Sequence, residues 1–145
     1  MTVVIERLAQ RLLAPALIVA AALIVKGYAD VGDGFSAGVI VALAIALQYI
    51  ALGAERVEAM LPVLRAAPAA AIGGLLVALA VGFSGLLGDD PPFTYLPHPG
   101  DEPVHVGSLE VIAAVAFDLA LFVLVVGVLT MLIHHLASSP PEQGR

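Results

Sequence analysis

Few residues of this sequence could carry chemistry, and Asp118 is the most unusual of them. It lies about twelve residues into a long apolar run, so the sequence predicts a carboxylate near the middle of a lipid bilayer. A charge at that depth costs on the order of 3 kcal/mol on insertion scales. We therefore expect Asp118 to face protein or water. Two interpretations stay open, a proton or cation relay and a hydrogen-bonded packing acid, and any counter-charge must come from elsewhere because no Lys or Arg lies in mid-membrane.

Glu110 is the second acid of the same apolar run, two helical turns before Asp118. Residues four apart lie on broadly the same side of a helix, so the two carboxylates could form an acidic track that leads inward. Alternatively, Glu110 lies in the first turns of the span, where a carboxylate is stabilised by the helix dipole. The sequence leaves both interpretations open.

The stretch Gly27–Gly38, which reads GYADVGDGFSAG, separates the first two apolar runs. Its glycines predict a tight reversal with positive φ values that lets the two spans pack closely. Lys26, Asp30 and Asp33 form a small charged cluster around it, although Lys26 could simply extend toward the interface. Further along, Gln48 is expected to make a hydrogen bond between helices.

Several classes of function find no support in the sequence. There is no cysteine, which removes disulfides, thiol catalysis and thiolate metal sites. We find no P-loop, GxSxG, HExxH or EF-hand pattern, so we expect no enzyme activity, no cofactor and no metal. A net charge of −6 argues against nucleic-acid binding, which needs a cationic surface.

The elements that must position these residues are membrane spans. The chain has 145 residues and is 61% hydrophobic and 12% charged, whereas soluble domains carry roughly 25% charged residues. With about 20 residues per span, the sequence predicts one all-α domain, an integral membrane bundle of four transmembrane helices. The predicted spans are residues 8–26, 35–52, 68–87 and 106–133, with an outer Pro-rich acidic loop at 88–105 and a polar tail at 136–145.

Basic residues set the expected orientation of the bundle. With four spans, one side of the membrane holds all five arginines and the other holds only Lys26. Both termini are therefore predicted to be cytoplasmic. The first loop and the Pro-rich loop then lie together on the outer side.

Small residues recur at intervals of four along two spans and predict faces of close helix packing, because backbones can approach there. The partner of each face stays open on the sequence. The two sets are Gly34, Gly38, Ala42 and Ala46 in the second span, and Ala66, Ala70, Gly74, Ala78 and Gly82 in the third.

Two stretches carry a resemblance to a known family. The segment 31–38 keeps Gly32, Gly34, Phe35 and Gly38 of a P-G-G-G-F-x-G-G-like motif, and residues 47–53 read LQYIALG. Residues 107–110 read GSLE, and residues 117–127 read FDLALFVLVVG. Together these stretches resemble the B subunit of Mrp-type (Mnh-type) multisubunit Na⁺/H⁺ antiporters. Two departures are Val31 in place of proline and Asp33 in place of glycine.

The resemblance implies a small accessory subunit that does not transport alone. It would belong to a complex of the plasma membrane that exchanges Na⁺ for H⁺, with large antiporter-like subunits and other small membrane subunits around it. Asp118 and Glu110 are the candidates for its ion path, and Phe35 is expected to hold the first loop against the fourth span. Two alternatives stay open, a sodium-module subunit of a membrane-bound hydrogenase-like redox complex and a membrane scaffold without an ion role.

Overall fold

The computed structural model describes residues 2–29, 32–88, 91–93, 104–106, 109–111 and 113–138. Asp30, most of the predicted loop at 88–105 and the tail from residue 139 onward lie outside the described residues. The elements in chain order are α1 (Thr2–Ala29), α2 (Asp33–Leu52), α3 (Ala54–Met60), a 3₁₀ helix (Pro62–Ala66), α4 (Ala67–Gly82), a second 3₁₀ helix (Ser84–Gly88), β1 (Val104–Val106), β2 (Leu109–Val111) and α5 (Ala113–Ser138).

Helices dominate the fold, and the membrane class predicted from composition is confirmed. Within the described residues, four helical segments are long and apolar enough to cross a membrane: Val3–Gly27, Asp33–Leu52, Pro62–Gly82 and Ala113–Ser138. The first helix extends beyond both ends of the predicted span, from Thr2 to Ala29. It also passes through Pro15 without a break. The chain is therefore a multi-pass membrane protein with four spans.

The last span begins later than the sequence suggested. Instead of a helix from residue 106, the chain forms two short antiparallel strands, in which His105 is opposite Glu110, and α5 begins at Ala113. Valine-rich segments favour strand geometry, and this local preference outweighs the apolar continuity that predicted helix. Glu110 thus lies in β2 and not in the first turns of a membrane helix, and it does not share a helix with Asp118.

The long helices lie in a row. Helix α1 packs against α2, α2 against α5, and α5 against α4. The largest cluster of buried side chains lies where α1, α2 and α3 meet and includes Ala20, Val41, Ile45, Tyr49 and Val57. Helices α1 and α4 form the two ends of the row, so their outer faces are open to lipid or to partner chains.

Small residues bring α4 and α5 into direct backbone contact. A Cβ added at Gly74 would lie 2.6 Å from the Leu124 amide nitrogen, and one added at Gly127 would lie 2.5 Å from the Ala71 nitrogen. In the first half of α4, the buried residues lie one position after the predicted ones. The reason is that a strict interval of four residues drifts around a helix of 3.6 residues per turn. The buried face consists of Ala67, Ala71, Gly74, Ala78 and Gly82, whereas Ala66 is exposed.

One end of the bundle is tied by polar contacts. Gln48 Nε2 donates to the Ala9 carbonyl at 2.7 Å, which links α2 to α1 near the start of the chain. Arg56 Nη1 lies 3.0 Å from Glu6 Oε2, and His134 near the end of α5 contacts Glu58 in α3. The start of α1 and the end of α5 therefore lie at the same end, and the α1–α2 connection lies at the opposite end.

Candidate functional site

Asp118 is buried against the first turn of α2. Only 6% of the residue is exposed, and the backbone N–H of Gly34 donates to its Oδ2 atom at 2.8 Å. Asp118 is the sixth residue of α5, about 8 Å from the start of that helix at 1.5 Å per residue. It therefore lies near one end of α5, level with the α1–α2 connection, and not twelve residues into the helix, because α5 begins later than the sequence suggested.

The start of α2 supplies a backbone partner for Asp118. The first N–H groups of a helix have no partner within the helix and carry partial positive charge. Gly34 is the second residue of α2, so its N–H is one of these groups. Carboxylates and other anions bind readily at such helix ends. A helix N-terminus with its partial positive charge thus faces the Asp118 carboxylate.

Two glycines lie against Asp118, and at Gly34 no side chain would fit, whereas at Gly27 a side chain would make a tight contact. A Cβ added at Gly34 would overlap the Asp118 carbonyl oxygen and would lie 2.8 Å from both its carbonyl carbon and its Cγ. A Cβ added at Gly27, near the end of α1, would lie 3.0 Å from Asp118 Oδ2. We call Gly27, Gly34 and Asp118 the glycine cradle, in which two backbones enclose one carboxylate.

The remaining motif residues divide into two groups. Gly32 precedes α2 with a φ of 126°, a conformation that side chains rarely adopt, and Gly38 lies where an added Cβ would be 3.0 Å from Val125 Cβ on α5. Phe35, by contrast, is 56% exposed. Glycine backbone therefore lies close to α5, and more than half of Phe35 is left open to lipid or to a partner chain.

An ion pair stands beside the cradle. Lys26 Nζ lies 2.6 Å from Asp33 Oδ2, which joins the last turn of α1 to the first residue of α2. The Lys26 side chain is 61% exposed and that of Asp33 is 23% exposed. Of the charged cluster expected from the sequence, these two residues come together, whereas Asp30 lies outside the described residues.

A second polar cluster, at the opposite end, was not identified from the sequence as a possible site. Glu58 Oε1 accepts a hydrogen bond from the Tyr49 hydroxyl at 3.3 Å and lies 2.5 Å from His134 Nδ1. The three residues come from α2, α3 and α5. Because Glu58 and His134 are 76 residues apart, no local spacing could have indicated their contact.

The polar groups around Asp118 suit the binding of ions or the packing of helices better than catalysis of a covalent reaction. Among the described residues, no three His, Asp or Glu side chains come close enough to hold a metal ion. Instead, the geometry offers one buried carboxylate that is fixed by a backbone donor, with a charged pair next to it. Such a group can hold a proton or attract a cation, or it can serve as a fixed link between helices.

Comparison with known proteins gives two concordant matches. The family described as a domain related to the MnhB subunit of Na⁺/H⁺ antiporters matches residues 4–131, which include the glycine cradle and nearly all of the four spans. A curated protein from Alkalihalophilus pseudofirmus, named as the B subunit of a Na⁺/H⁺ antiporter, is 31% identical over 102 residues. That alignment covers 70% of this chain and 69% of the relative.

Proposed function

This chain belongs to the family of domains related to the MnhB subunit of Na⁺/H⁺ antiporters, and from this premise we propose that it is a small accessory subunit of such an antiporter in the plasma membrane. The resemblance found in the sequence is thereby confirmed. The redox-complex alternative is not favoured, since the matching relative is named as an antiporter subunit. Other membrane subunits of the antiporter are its partners, and the complex as a whole would exchange Na⁺ for H⁺.

The open row of helices supports a role within a larger assembly. Large apolar side chains cover the outer faces of the terminal helices, for example Ile18 and Val25 on α1 and Ile72 and Leu76 on α4, each more than half exposed. Lipid or neighbouring subunits can cover these faces. Membership of the family implies that the main ion channels would lie in the large partner subunits.

The bundle would stand with both termini in the cytoplasm. Arg56 lies at the end of the bundle that holds the start of α1, and Lys26 lies at the opposite end beside Asp33. The excess of arginines at the terminal end favours the cytoplasm for that end. The glycine cradle would then lie near the outer surface.

The single observation that carries the functional role is the burial of Asp118 in the glycine cradle. A carboxylate at a helix N-terminus interacts favourably with the partial positive charge of the first N–H groups. Near the outer end of the span, a buried negative charge would attract the cations that enter or leave the complex. Asp118 would thus be a residue of the ion path that attracts cations. Glu110 lies in β2 and not in the helix that carries Asp118.

Replacement of Asp118 by Asn tests this role. The Asn amide oxygen can still accept the hydrogen bond from Gly34, so the variant removes the charge and keeps the acceptor. We expect the Asp118→Asn complex to assemble and to lose Na⁺-dependent proton movement in everted membrane vesicles. Glu55→Gln, which removes an exposed carboxylate at the other end, is the matched control and should leave exchange unchanged.

Two results would count against the proposal. Exchange equal to that of Glu55→Gln would show that the charge of Asp118 has no part in ion movement. Loss of the assembled complex in Asp118→Asn would assign the residue a packing role, in agreement with the scaffold alternative.

A further inference from the structure

We propose that Lys26 and Asp33 are positioning residues for Asp118, and that their ion pair holds the two glycines of the cradle in place. The inference rests on the proposed function and deepens it. The Lys26–Asp33 pair would thus have a role beyond the proposed function, because it would hold the end of α1 and the start of α2 around the Asp118 carboxylate.

The sequence places each charged residue directly before a glycine of the cradle. Lys26 precedes Gly27 at the end of α1, and Asp33 precedes Gly34 at the start of α2. Lys26 Nζ and Asp33 Oδ2 lie 2.6 Å apart, and both glycines lie next to the Asp118 carboxylate. Because consecutive Cα atoms are about 3.8 Å apart, movement of either charged residue moves its glycine with it.

The ion pair crosses the gap between two helices that only a few residues connect. Helix α1 ends at Ala29 and α2 begins at Asp33. The hydrogen bond from Gly34 to Asp118 depends on where the first turn of α2 lies relative to α1 and α5. Lys26 holds the first turn of α2 to α1 through Asp33. The ion pair therefore helps to set where the Gly34 donor lies relative to Asp118.

Charge alone offers a competing explanation. A Cβ at Gly27 would lie 3.0 Å from Asp118 Oδ2 and 3.6 Å from Asp33 Cβ, so the two carboxylates are neighbours. In that case Lys26 and Asp33 would act on Asp118 as separate charges of opposite sign. Their removal would then have opposite effects, and removal of both would leave the field nearly unchanged.

The pH profile of Na⁺/H⁺ exchange by the complex in vesicles separates the two explanations. If the pair positions the cradle, Lys26→Gln, Asp33→Asn and the double variant all weaken the Gly34 donor. The loss of a donor changes the surroundings of the same carboxylate in all three variants, so all three profiles shift in the same direction. Lys26→Arg keeps the pair and should retain the original profile.

The surface pair Arg56–Glu6 provides a matched control. Its atoms are 3.0 Å apart, and its side chains are 57% and 28% exposed, close to the values for Lys26 and Asp33. It lies at the opposite end of the bundle. Arg56→Gln should therefore break an equivalent ion pair without a shift of the pH profile.

A second measurement does not depend on transport. In the intact complex, hydrogen–deuterium exchange of the segment 27–38 reports on the Gly34 N–H. We expect uptake to become several-fold faster in Lys26→Gln and Asp33→Asn and to stay unchanged in Lys26→Arg and Arg56→Gln. This readout still tests the ion pair if Asp118→Asn shows that Asp118 has no part in ion movement.

Opposite shifts in the two single variants, with cancellation in the double variant, would overturn the positioning role in favour of a simple charge effect. Unchanged deuterium uptake in both single variants would also overturn it. Parallel shifts with faster uptake, both rescued by Lys26→Arg, would support it.

Discussion

Replacement of Gly34 by Ala is the sharpest structural test of the glycine cradle. The added Cβ would lie 2.8 Å from two carbons of Asp118 and would overlap its carbonyl oxygen, whereas ordinary contacts begin at 3.4 Å. Helix α2 must then move away from α5 by at least about 0.6 Å, the difference between these distances. The hydrogen bond from Gly34 to Asp118, now 2.8 Å long, would lengthen to about 3.4 Å or more and weaken steeply.

The cost combines two terms. Overpacking of a close contact costs about 1–3 kcal/mol, and a hydrogen bond to a charged group contributes about 1.5–3 kcal/mol. A destabilisation on the order of 3 kcal/mol follows, which corresponds to about a hundredfold change in the equilibrium between packed and separated helices. We expect most of the complex to fail to assemble.

The yield of assembled complex on native gels, together with its melting temperature after purification, measures this effect. Gly73→Ala is the matched control, since a Cβ at Gly73 meets nothing within 4 Å. It should assemble normally. If Gly34→Ala assembled and melted like Gly73→Ala, the close approach of α2 to Asp118 would be refuted.

Two further substitutions test the packing on either side of the cradle. Gly127→Ala brings a Cβ to 2.5 Å from the Ala71 nitrogen. We expect it to destabilise the packing of α4 on α5 by about 1–3 kcal/mol and so to lower the melting temperature of the complex. A melting curve equal to that of Gly73→Ala would contradict the close contact of α4 with α5. Gln48→Leu removes the donor of the 2.7 Å bond to the Ala9 carbonyl and should cost about 1–3 kcal/mol, because a buried acceptor is left without a partner; an unchanged melting temperature would contradict this link between α1 and α2.

The sequence was sufficient to predict the four spans and the close backbone approach of the glycine-rich stretch 27–38, because continuous apolar runs and clustered glycines are local signals. It could not predict the depth of Asp118. That depth depends on where α5 begins, and the valine-rich segment from residue 104 to 111 is apolar enough to resemble a continuation of the helix. The strands there move Glu110 out of the span.

The partner of Asp118 was also beyond the reach of the sequence. A search for counter-charges considers side chains, whereas the actual partner is the backbone N–H of Gly34. The glycine motif indicated a close approach of the backbone, but 84 residues separate Gly34 from Asp118, so its target became visible only in the fold. The contact of Glu58 with His134 was missed for the same reason.

The most direct test of the account compares Asp118→Asn and Gly34→Ala in one vesicle assay, with Na⁺-dependent proton movement expressed per assembled complex. We expect Asp118→Asn to yield normal amounts of complex with no exchange, whereas Gly34→Ala should yield little complex. Full exchange per complex in Asp118→Asn would contradict the central claim that the buried charge of Asp118 takes part in ion movement.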